Sequence, residues 1–98
     1  MDEIVNSRLH AVIEGTVQGV GFRYFVQDAA NLLSLSGWVR NRWDGTVEVL
    51  AEGERSRLEQ LLAALRRGPR SAQVKGVDFS WQEYSGEFTG FRVRQTGN

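Results

Sequence analysis

A chain of 98 residues, of which 41% are hydrophobic, is long enough to bury one core and too short for two, so we expect a single domain over residues 1–98. Its 12 basic residues balance 12 acidic ones, and the chain therefore lacks the overall positive field with which nucleic-acid and membrane-surface proteins gather their partners. The absence of cysteine excludes a disulfide framework and any cysteine-based metal or redox centre, and the single histidine could not hold a metal without help from carboxylates.

The first residues, MDEIVNSR, include acidic side chains and no continuous apolar run, so they predict neither a signal peptide nor a membrane span. We therefore expect a cytoplasmic protein with no membrane and no nucleic-acid partner, in which residues 1–7 form a loose tail. A lone domain of this size with balanced charge also favours a monomer.

The first two predicted elements flank a glycine-rich segment. Apolar and polar residues alternate from Leu9 to Ile13, which predicts a half-buried strand that ends at Gly15. The segment GTVQGVGFR runs from Gly15 to Arg23, and beyond its glycines apolar residues recur with the spacing of an amphipathic helix. These residues are Phe22, Phe25, Val26, Ala29 and Leu33. Arg23 is then expected in the first turn of the helix.

A hairpin joins the next two predicted strands. The strands cover 38–41 and about 46–52. A two-residue turn at Asp44 and Gly45 would set the apolar residues of the two strands on opposite faces of the sheet. A three-residue loop that adds Trp43 to the turn, with Gly45 in the left-handed conformation, restores the shared face. It also places Asn41 across from Val47 on the side that the helices cover.

A second helix and two further strands complete the pattern. Four leucines at helical spacing predict the helix: Leu58, Leu61, Leu62 and Leu65. Glu52 and Glu54 stand near its start and two arginines near its end, where these charges suit the helix dipole. The last two strands are a long one over about 72–84 and a short one that carries Phe91 and Val93.

This order of elements predicts an α+β fold of the ferredoxin-like type, a βαββαβ sandwich in which two helices cover one face of an antiparallel sheet. The short extra strand follows at the C-terminal end. The first two strands run in the same direction, because the helix between them returns the chain, so their C-terminal ends share one edge of the sheet. With the third strand between them, the glycine-rich loop and Asn41 are expected at that edge, about 10 Å apart.

The glycine-rich loop has the composition of an anion-binding site. Glycines let consecutive backbone N–H groups converge, and the N-terminus of the helix adds unpaired donors with partial positive charge. Arg23 adds a planar fork of donors that matches phosphate oxygens. From these residues alone, a plain strand-to-helix turn beside a solvated arginine stays open as an alternative. The common nucleotide-binding motifs do not match, since no Lys-Ser or Lys-Thr pair follows and Tyr24 stands where the dinucleotide pattern needs a third glycine.

Two segments resemble the signatures of the acylphosphatase family. GTVQGVGFR is similar to the family's G-x-V-Q-G-V-x-F-R, and GWVRNRWDGTVEVLAEG, residues 37–53, is similar to its G-[FYW]-[AV]-x-N-x-x-D-G-x-[AV]-E-x-x-x-x-G. Both match at every specified position, and the length, the element order and the segment GPRSAQV also fit. The resemblance implies an enzyme that hydrolyses a small-molecule acyl phosphate to a carboxylate and inorganic phosphate, with no metal and no other cofactor.

The resemblance also implies the roles of the site residues. Arg23 would hold the phosphate, and Asn41 would orient the attacking water. The phosphate-binding loop would contribute backbone amides from Val17, Gln18, Gly19, Val20, Gly21 and Phe22. An acyl phosphate carries a good leaving group, so positioning and charge stabilisation suffice without a strong general base. We hypothesise that the bound phosphate itself accepts the proton of the water.

The alternative from another class is a non-catalytic module that binds phosphate or carbamoyl phosphate for a partner protein. A chain that carries both Arg23 and Asn41 fits an enzyme better. One departure from the family pattern is Ser34, in the turn after the first helix, where the family often has a glycine. A serine in the left-handed conformation costs about 1 kcal/mol more than a glycine.

The remaining polar residues receive structural interpretations. His10 falls on the face opposite the apolar residues of its strand and is interpreted as an ordinary strand residue, Asp44 as part of a turn and Glu48 as a sheet residue. Trp38 shares that outer face with Arg40, as the stacking residues of RNA-recognition modules do. RNA binding is nevertheless disfavoured, because GVGFRYF precedes a helix, whereas the aromatic signature of those modules lies on a strand.

Overall fold

The computed structural model describes residues 4–98 and contains the seven elements that the sequence predicts. They are β1 (Asn6–Thr16), α1 (Phe22–Leu32), β2 (Ser36–Asn41), β3 (Val47–Glu54), α2 (Arg55–Arg67), β4 (Gln73–Gln82) and β5 (Phe91–Val93). The expected tail over residues 1–7 needs correcting at Asn6 and Ser7, which belong to β1 because they pair with the end of β3. Residues 1–3 lie outside the described part of the chain. Within it, no helix is both long and apolar enough to cross a membrane.

The sheet has five strands in the order β4-β1-β3-β2-β5. β1 pairs antiparallel with both β3 and β4, and β2 pairs antiparallel with β3. β5 pairs parallel with β2, so the short last strand makes the expected antiparallel sheet a mixed one. As predicted, β3 lies between β1 and β2, whose C-terminal ends therefore lie at the same edge. We call this the loop edge, because the glycine-rich loop leaves β1 there.

The hydrophobic core lies between one face of the sheet, the inner face, and the two helices. Alternate residues of β1 are fully buried on that face, namely Leu9, Ala11 and Ile13. α1 buries Phe22, Val26 and Ala30, and α2 buries the four predicted leucines. The predicted apolar stripes are thus confirmed. The side chains that alternate with them on β1 point to the opposite, outer face.

The hairpin between β2 and β3 has the predicted three-residue loop. Asn41 pairs with Val47. The N–H of Arg42 donates to the carbonyl of Thr46 at 2.9 Å, and the N–H of Gly45 donates to the carbonyl of Arg42 at 3.1 Å. Gly45 has a φ of 92°, in the left-handed region, as this loop type requires. The strand register that places Asn41 on the inner face is confirmed.

Glu52 does not act at the start of α2, and that interpretation is wrong. The strand β3 continues to Glu54, so Glu52 lies within the sheet, where it is 1% exposed. Its carboxylate accepts hydrogen bonds from Arg8 Nε at 2.7 Å and from the N–H groups of Ser85 and Gly86 at 2.9 and 3.0 Å. Glu52 therefore fastens the segment before β5 to the sheet.

Glu52→Gln is expected to lower the free energy of unfolding by about 2–3 kcal/mol at pH 7, because it leaves the half-buried guanidinium of Arg8 and two amide donors without their carboxylate. Burial raises the pKa of Glu52, but the hydrogen bonds from Ser85, Arg8 and Gly86 outweigh it, and the pKa lies below its ordinary value. A carboxylate with a lowered pKa stabilises the fold above the unfolded-state pKa of about 4.3 and loses that effect as the pH falls through the folded-state pKa.

Urea unfolding at neutral and acidic pH measures both effects. The variant is expected to lose less stability between pH 7 and pH 3 than the parent protein. The matched control is Glu59→Gln, whose side chain is 59% exposed and, within residues 4–98, pairs only with Arg55. It should change stability by less than about 0.5 kcal/mol. An unaltered acid dependence in Glu52→Gln would contradict the assignment.

The C-terminus of α1 ends in a left-handed serine, as the sequence predicts. Ser34 has a φ of 55°, its N–H donates to the carbonyl of Asn31, and the N–H of Leu35 donates to the carbonyl of Ala30 at 2.9 Å. This pair of bonds is the Schellman motif, which favours glycine at the position of Ser34. The serine thus sits in a strained conformation at the helix end.

Ser34→Gly is expected to raise the free energy of unfolding by about 1 kcal/mol, since glycine adopts this conformation without a Cβ clash. Urea denaturation measures the change. Ser34→Ala is the control: it keeps the Cβ and should give no gain. An equal gain in both variants would mean that the hydroxyl, and not the backbone conformation, was the source of the cost.

Candidate active site

The loop that joins β1 to α1 is anchored in the core at both ends. Val17 and Phe22 are each 1% exposed, and Val20 packs against the same core. The hydroxyl of Ser71 donates to the carbonyl of Val20 at 2.8 Å. Three of the six residues predicted for this loop therefore use their side chains to hold it, which leaves only their backbone groups for a ligand.

Two glycines give the loop its shape. Gly19 and Gly21 have φ values of 73° and 76°, in the left-handed region. A Cβ at either position would meet no atom within 4 Å, so glycine is needed there for its backbone conformation and not for space. The loop turns from strand to helix within these few residues.

Backbone donors are concentrated in this loop. Among residues 4–98, the N–H groups from Gln18 to Gly21 donate no hydrogen bond to the chain. The first helical bond runs from the N–H of Phe25 to the carbonyl of Gly21, so the amides of the first turn of α1 have no partner within the helix. No acidic side chain stands in that turn. The arrangement collects unpaired backbone donors at a helix N-terminus, where proteins commonly bind phosphate-sized anions.

Arg23 projects from the first turn of α1 and is half-buried. Within the described chain its guanidinium forms no ion pair. A half-buried guanidinium without a carboxylate partner keeps its planar fork of donors available to an anion. The predicted position of Arg23 in the first turn of α1 is confirmed.

Asn41 is the last residue of β2, at the loop edge on the inner face. Its backbone carbonyl accepts a hydrogen bond from the N–H of Gly97 at 3.1 Å, which holds the strand end. Its side-chain oxygen Oδ1 is buried and accepts no hydrogen bond from residues 4–98. A buried amide oxygen without a donor costs about 1–3 kcal/mol, so this atom is suited to receive a donor from a ligand or a water.

Gln18 joins the two halves of the site. Its Nε2 donates to the carbonyls of Arg42 and Thr46, each at 2.8 Å. These carbonyls flank the hairpin turn that directly follows Asn41, so the glycine-rich loop is tied to the end of β2. The sequence places Gln18 in the loop for its backbone amide only, and this role of its side chain was missed. Nothing in the local pattern signals it, because the partners lie 24 and 28 residues away.

The other polar residues considered in the sequence lie away from the loop edge or have structural partners. His10 Nε2 is 2.7 Å from Glu48 Oε2 on the outer face, and Arg40 Nε donates to the other oxygen of Glu48 at 2.8 Å. Burial raises the pKa of Glu48, but the hydrogen bonds from His10 and Arg40 outweigh it and leave the pKa below its ordinary value. Asp44 accepts hydrogen bonds from the backbone and hydroxyl of Thr46. Both structural interpretations, for Asp44 and for Glu48, are confirmed.

Residues 4–98 include no cluster of three or more histidine, aspartate or glutamate side chains that could hold a metal ion. Arg23 and the backbone amides contribute positive charge at the loop edge. This combination can bind a phosphate group and, through Asn41, present an acceptor to a neighbouring water.

Comparison with known proteins gives a consistent result. The acylphosphatase family model matches residues 9–93. An acylphosphatase of Pelotomaculum thermopropionicum is 47% identical over 89% of this chain and 95% of its own length. An acylphosphatase of Salinibacter ruber is 46% identical over 97% of this chain and 100% of its own length. The crystal structure of the acylphosphatase from Bacillus subtilis superposes with a TM-score of 0.87 at 36% identity, covering 90% of this chain and 98% of that one. The acylphosphatase structure from Coxiella burnetii gives a TM-score of 0.86 at 36% identity, covering 96% and 100%.

Proposed function

This chain belongs to the acylphosphatase family, and on that premise we propose that Arg23 and Asn41 divide the work of hydrolysis between phosphate binding and water positioning. The enzyme hydrolyses the carboxyl-phosphate bond of an acyl phosphate and releases a carboxylate and inorganic phosphate. The proposal concerns how the residues of the loop edge perform this reaction.

The phosphate group binds to the loop. Arg23 donates from its guanidinium, and the free amides from Gln18 to Phe22 donate from the backbone. The absence of a carboxylate partner for Arg23 within residues 4–98 supports this role, because the charge is not already neutralised. The transferred phosphoryl group develops its charge on the oxygens that these donors contact, so the same donors stabilise the transition state.

Asn41 positions the nucleophile. Its buried Oδ1 accepts a hydrogen bond from a water, which directs an oxygen lone pair of that water toward phosphorus. The water oxygen forms a bond to phosphorus as the bond from phosphorus to the acyl oxygen breaks, and the acyl group leaves as a carboxylate. The proton of the water passes to a phosphate oxygen, so no side chain has to act as a strong base.

The single observation that carries the proposal is the unpaired Oδ1 of Asn41, held beside the donor-rich loop by Gln18. The test is release of phosphate from a synthetic aryl acyl phosphate by the purified protein, with and without a metal chelator. We expect equal turnover in both. Turnover that stops with the chelator would contradict the metal-free mechanism, and phosphate binding without turnover would favour the non-catalytic module instead.

We also propose that the enzyme needs no cofactor and acts as a cytoplasmic monomer. The donors of the loop and Arg23 supply the positive charge that a metal ion provides at other phosphoryl-transfer sites, which supports the first part. Sedimentation equilibrium of the purified protein checks the monomeric state, and a mass of twice the chain would contradict it.

A further inference from the structure

A second concave site lies on the outer face of the sheet, apart from the loop edge. Segment 87–90, which leads into β5, borders an open cavity of about 400 Å³ beside β2. Its walls include Trp38, Glu87, Phe88, Thr89, Arg92 and Arg94. We call it the outer cavity.

The outer cavity is separate from the acyl phosphate site. Trp38 alternates with the inner-face residue Val39, so it lies on the face opposite Asn41. It also precedes Asn41 by three residues, about 10 Å along the strand. A ligand in the outer cavity would therefore leave the loop amides and Arg23 free.

Two arginines give the outer cavity unpaired positive charge. Arg92 stands opposite Trp38 in the parallel pairing of β2 with β5, and Arg94 follows on the same face. Both are exposed, and neither forms an ion pair within residues 4–98. The carboxylate in the wall, that of Glu87, already accepts a hydrogen bond from Arg8 at 2.9 Å.

The neighbouring aromatic side chain orients one of these charges. The guanidinium carbon of Arg94 lies 4.9 Å from the ring centroid of Trp38, and that of Arg40 lies 5.0 Å from it. Arg40 is held by Glu48, whereas Arg94 has no carboxylate partner in the described chain. A guanidinium that packs on a ring keeps the N–H donors in its own plane free for an anion.

We propose that the outer cavity binds a small planar anion, an aromatic ring that carries a phosphate or carboxylate, of the size of a nucleoside monophosphate. Arg92 and Arg94 hold the anionic group. The ring of the ligand packs at the edges of Trp38 and Phe88, because the faces of these rings already carry guanidinium groups, from Arg94 and Arg40 on Trp38 and from Arg8 on Phe88. The volume lies within the range of small-ligand pockets, roughly 300–1,000 Å³. A long nucleic acid does not fit, because the chain has balanced charge and two free guanidinium groups do not make a basic track.

The test is an NMR titration of the full chain with AMP, in which the signals of the glycine-rich loop and of the outer cavity are followed separately. AMP is expected to shift the signals of Trp38, Phe88 and the two arginines, and adenosine is expected to bind about tenfold more weakly. The double variant Arg92→Gln, Arg94→Gln should weaken AMP binding about tenfold or more and leave acyl phosphate turnover within about twofold of the parent.

The matched control is the double variant Arg66→Gln, Arg70→Gln, which removes two exposed arginines outside the cavity and should not alter AMP affinity. The proposal is overturned by no shift at millimolar AMP, by shifts confined to the glycine-rich loop, or by equal weakening in the control. If adenosine bound as tightly as AMP, the proposed binding of the phosphate group by Arg92 and Arg94 would be contradicted. If a single-stranded oligonucleotide bound far more tightly than AMP, the proposal of a small ligand would be contradicted in favour of a nucleic acid.

Discussion

Asn41→Ala is expected to lower kcat for an acyl phosphate about 10³-fold, because the variant no longer orients the attacking water, and misplacement of a reacting group costs about two to three orders of magnitude. The affinity for inorganic phosphate should change less than about threefold, since the loop amides and Arg23 stay in place. Steady-state kinetics measure the first quantity, and calorimetric titration with phosphate measures the second. The variant also removes the buried, unpaired Oδ1 of Asn41, so its free energy of unfolding should not fall by more than about 1 kcal/mol.

Asn31→Ala is the matched control, because it makes the same substitution at an exposed asparagine of α1. It should leave kcat and phosphate affinity unchanged. If Asn41→Ala lost phosphate affinity by the same factor as kcat, the separate roles proposed for Asn41 and Arg23 would be contradicted.

Arg23→Ala is expected to lower kcat/KM about 10⁴-fold, because an arginine that stabilises the transition state of phosphoryl transfer typically contributes a rate factor of about this size. In contrast to Asn41→Ala, it should also weaken inorganic phosphate binding about 10- to 100-fold, the equivalent of one or two charge-assisted hydrogen bonds. Arg23→Lys should recover part of the binding but little of the rate, because an ammonium supplies charge without the planar fork. The same kinetic and calorimetric measurements apply.

Arg70→Ala removes an exposed arginine outside the glycine-rich loop and serves as the charge-matched control. It should leave kcat/KM within about twofold of the parent value. Phosphate affinity that is unchanged in Arg23→Ala would assign phosphate binding to the loop amides alone and contradict the proposed role of the guanidinium.

These two variants separate holding an anion from hydrolysing its bond. In the proposed mechanism the glycine-rich loop and Arg23 bind the anion, as many helix N-termini do. The proposal assigns the direction of the water to Asn41, which belongs to a different strand. Gln18 links the two parts, since its two hydrogen bonds join the loop to the turn after Asn41.

Most of the secondary structure could be predicted from local pattern. The alternation from Leu9 to Ile13 and the apolar stripe of α1 follow from periodicity, which depends only on neighbouring residues. The register of the hairpin was also predictable, because side chains alternate with a period of two and only a three-residue loop brings Val39 and Val47 to the same face. The positions of Arg23 in the first turn of α1 and of Asn41 at the end of β2 were predictable as well, because they follow from helical spacing and from strand alternation.

Glu52 marks the limit of such reasoning. Its position just before a leucine stripe favours a role at a helix start, yet its partners Ser85 and Gly86 lie more than thirty residues further along the chain. The parallel pairing of β5 with β2 and the cavity beside Trp38 were missed as well, since both depend on where the C-terminal segment returns.

The sequence by itself determined the element order, the faces of the strands and helices, and the presence of a donor-rich loop before Arg23, because periodicity, glycine conformation and helix polarity are local properties of the chain. Only the tertiary structure decided what each of those groups meets. The tether from Gln18 to the hairpin, the burial of Asn41 Oδ1 without a partner and the ion pair of Glu52 all join residues distant in sequence. Such contacts depend on how the whole core packs, and no local pattern encodes them.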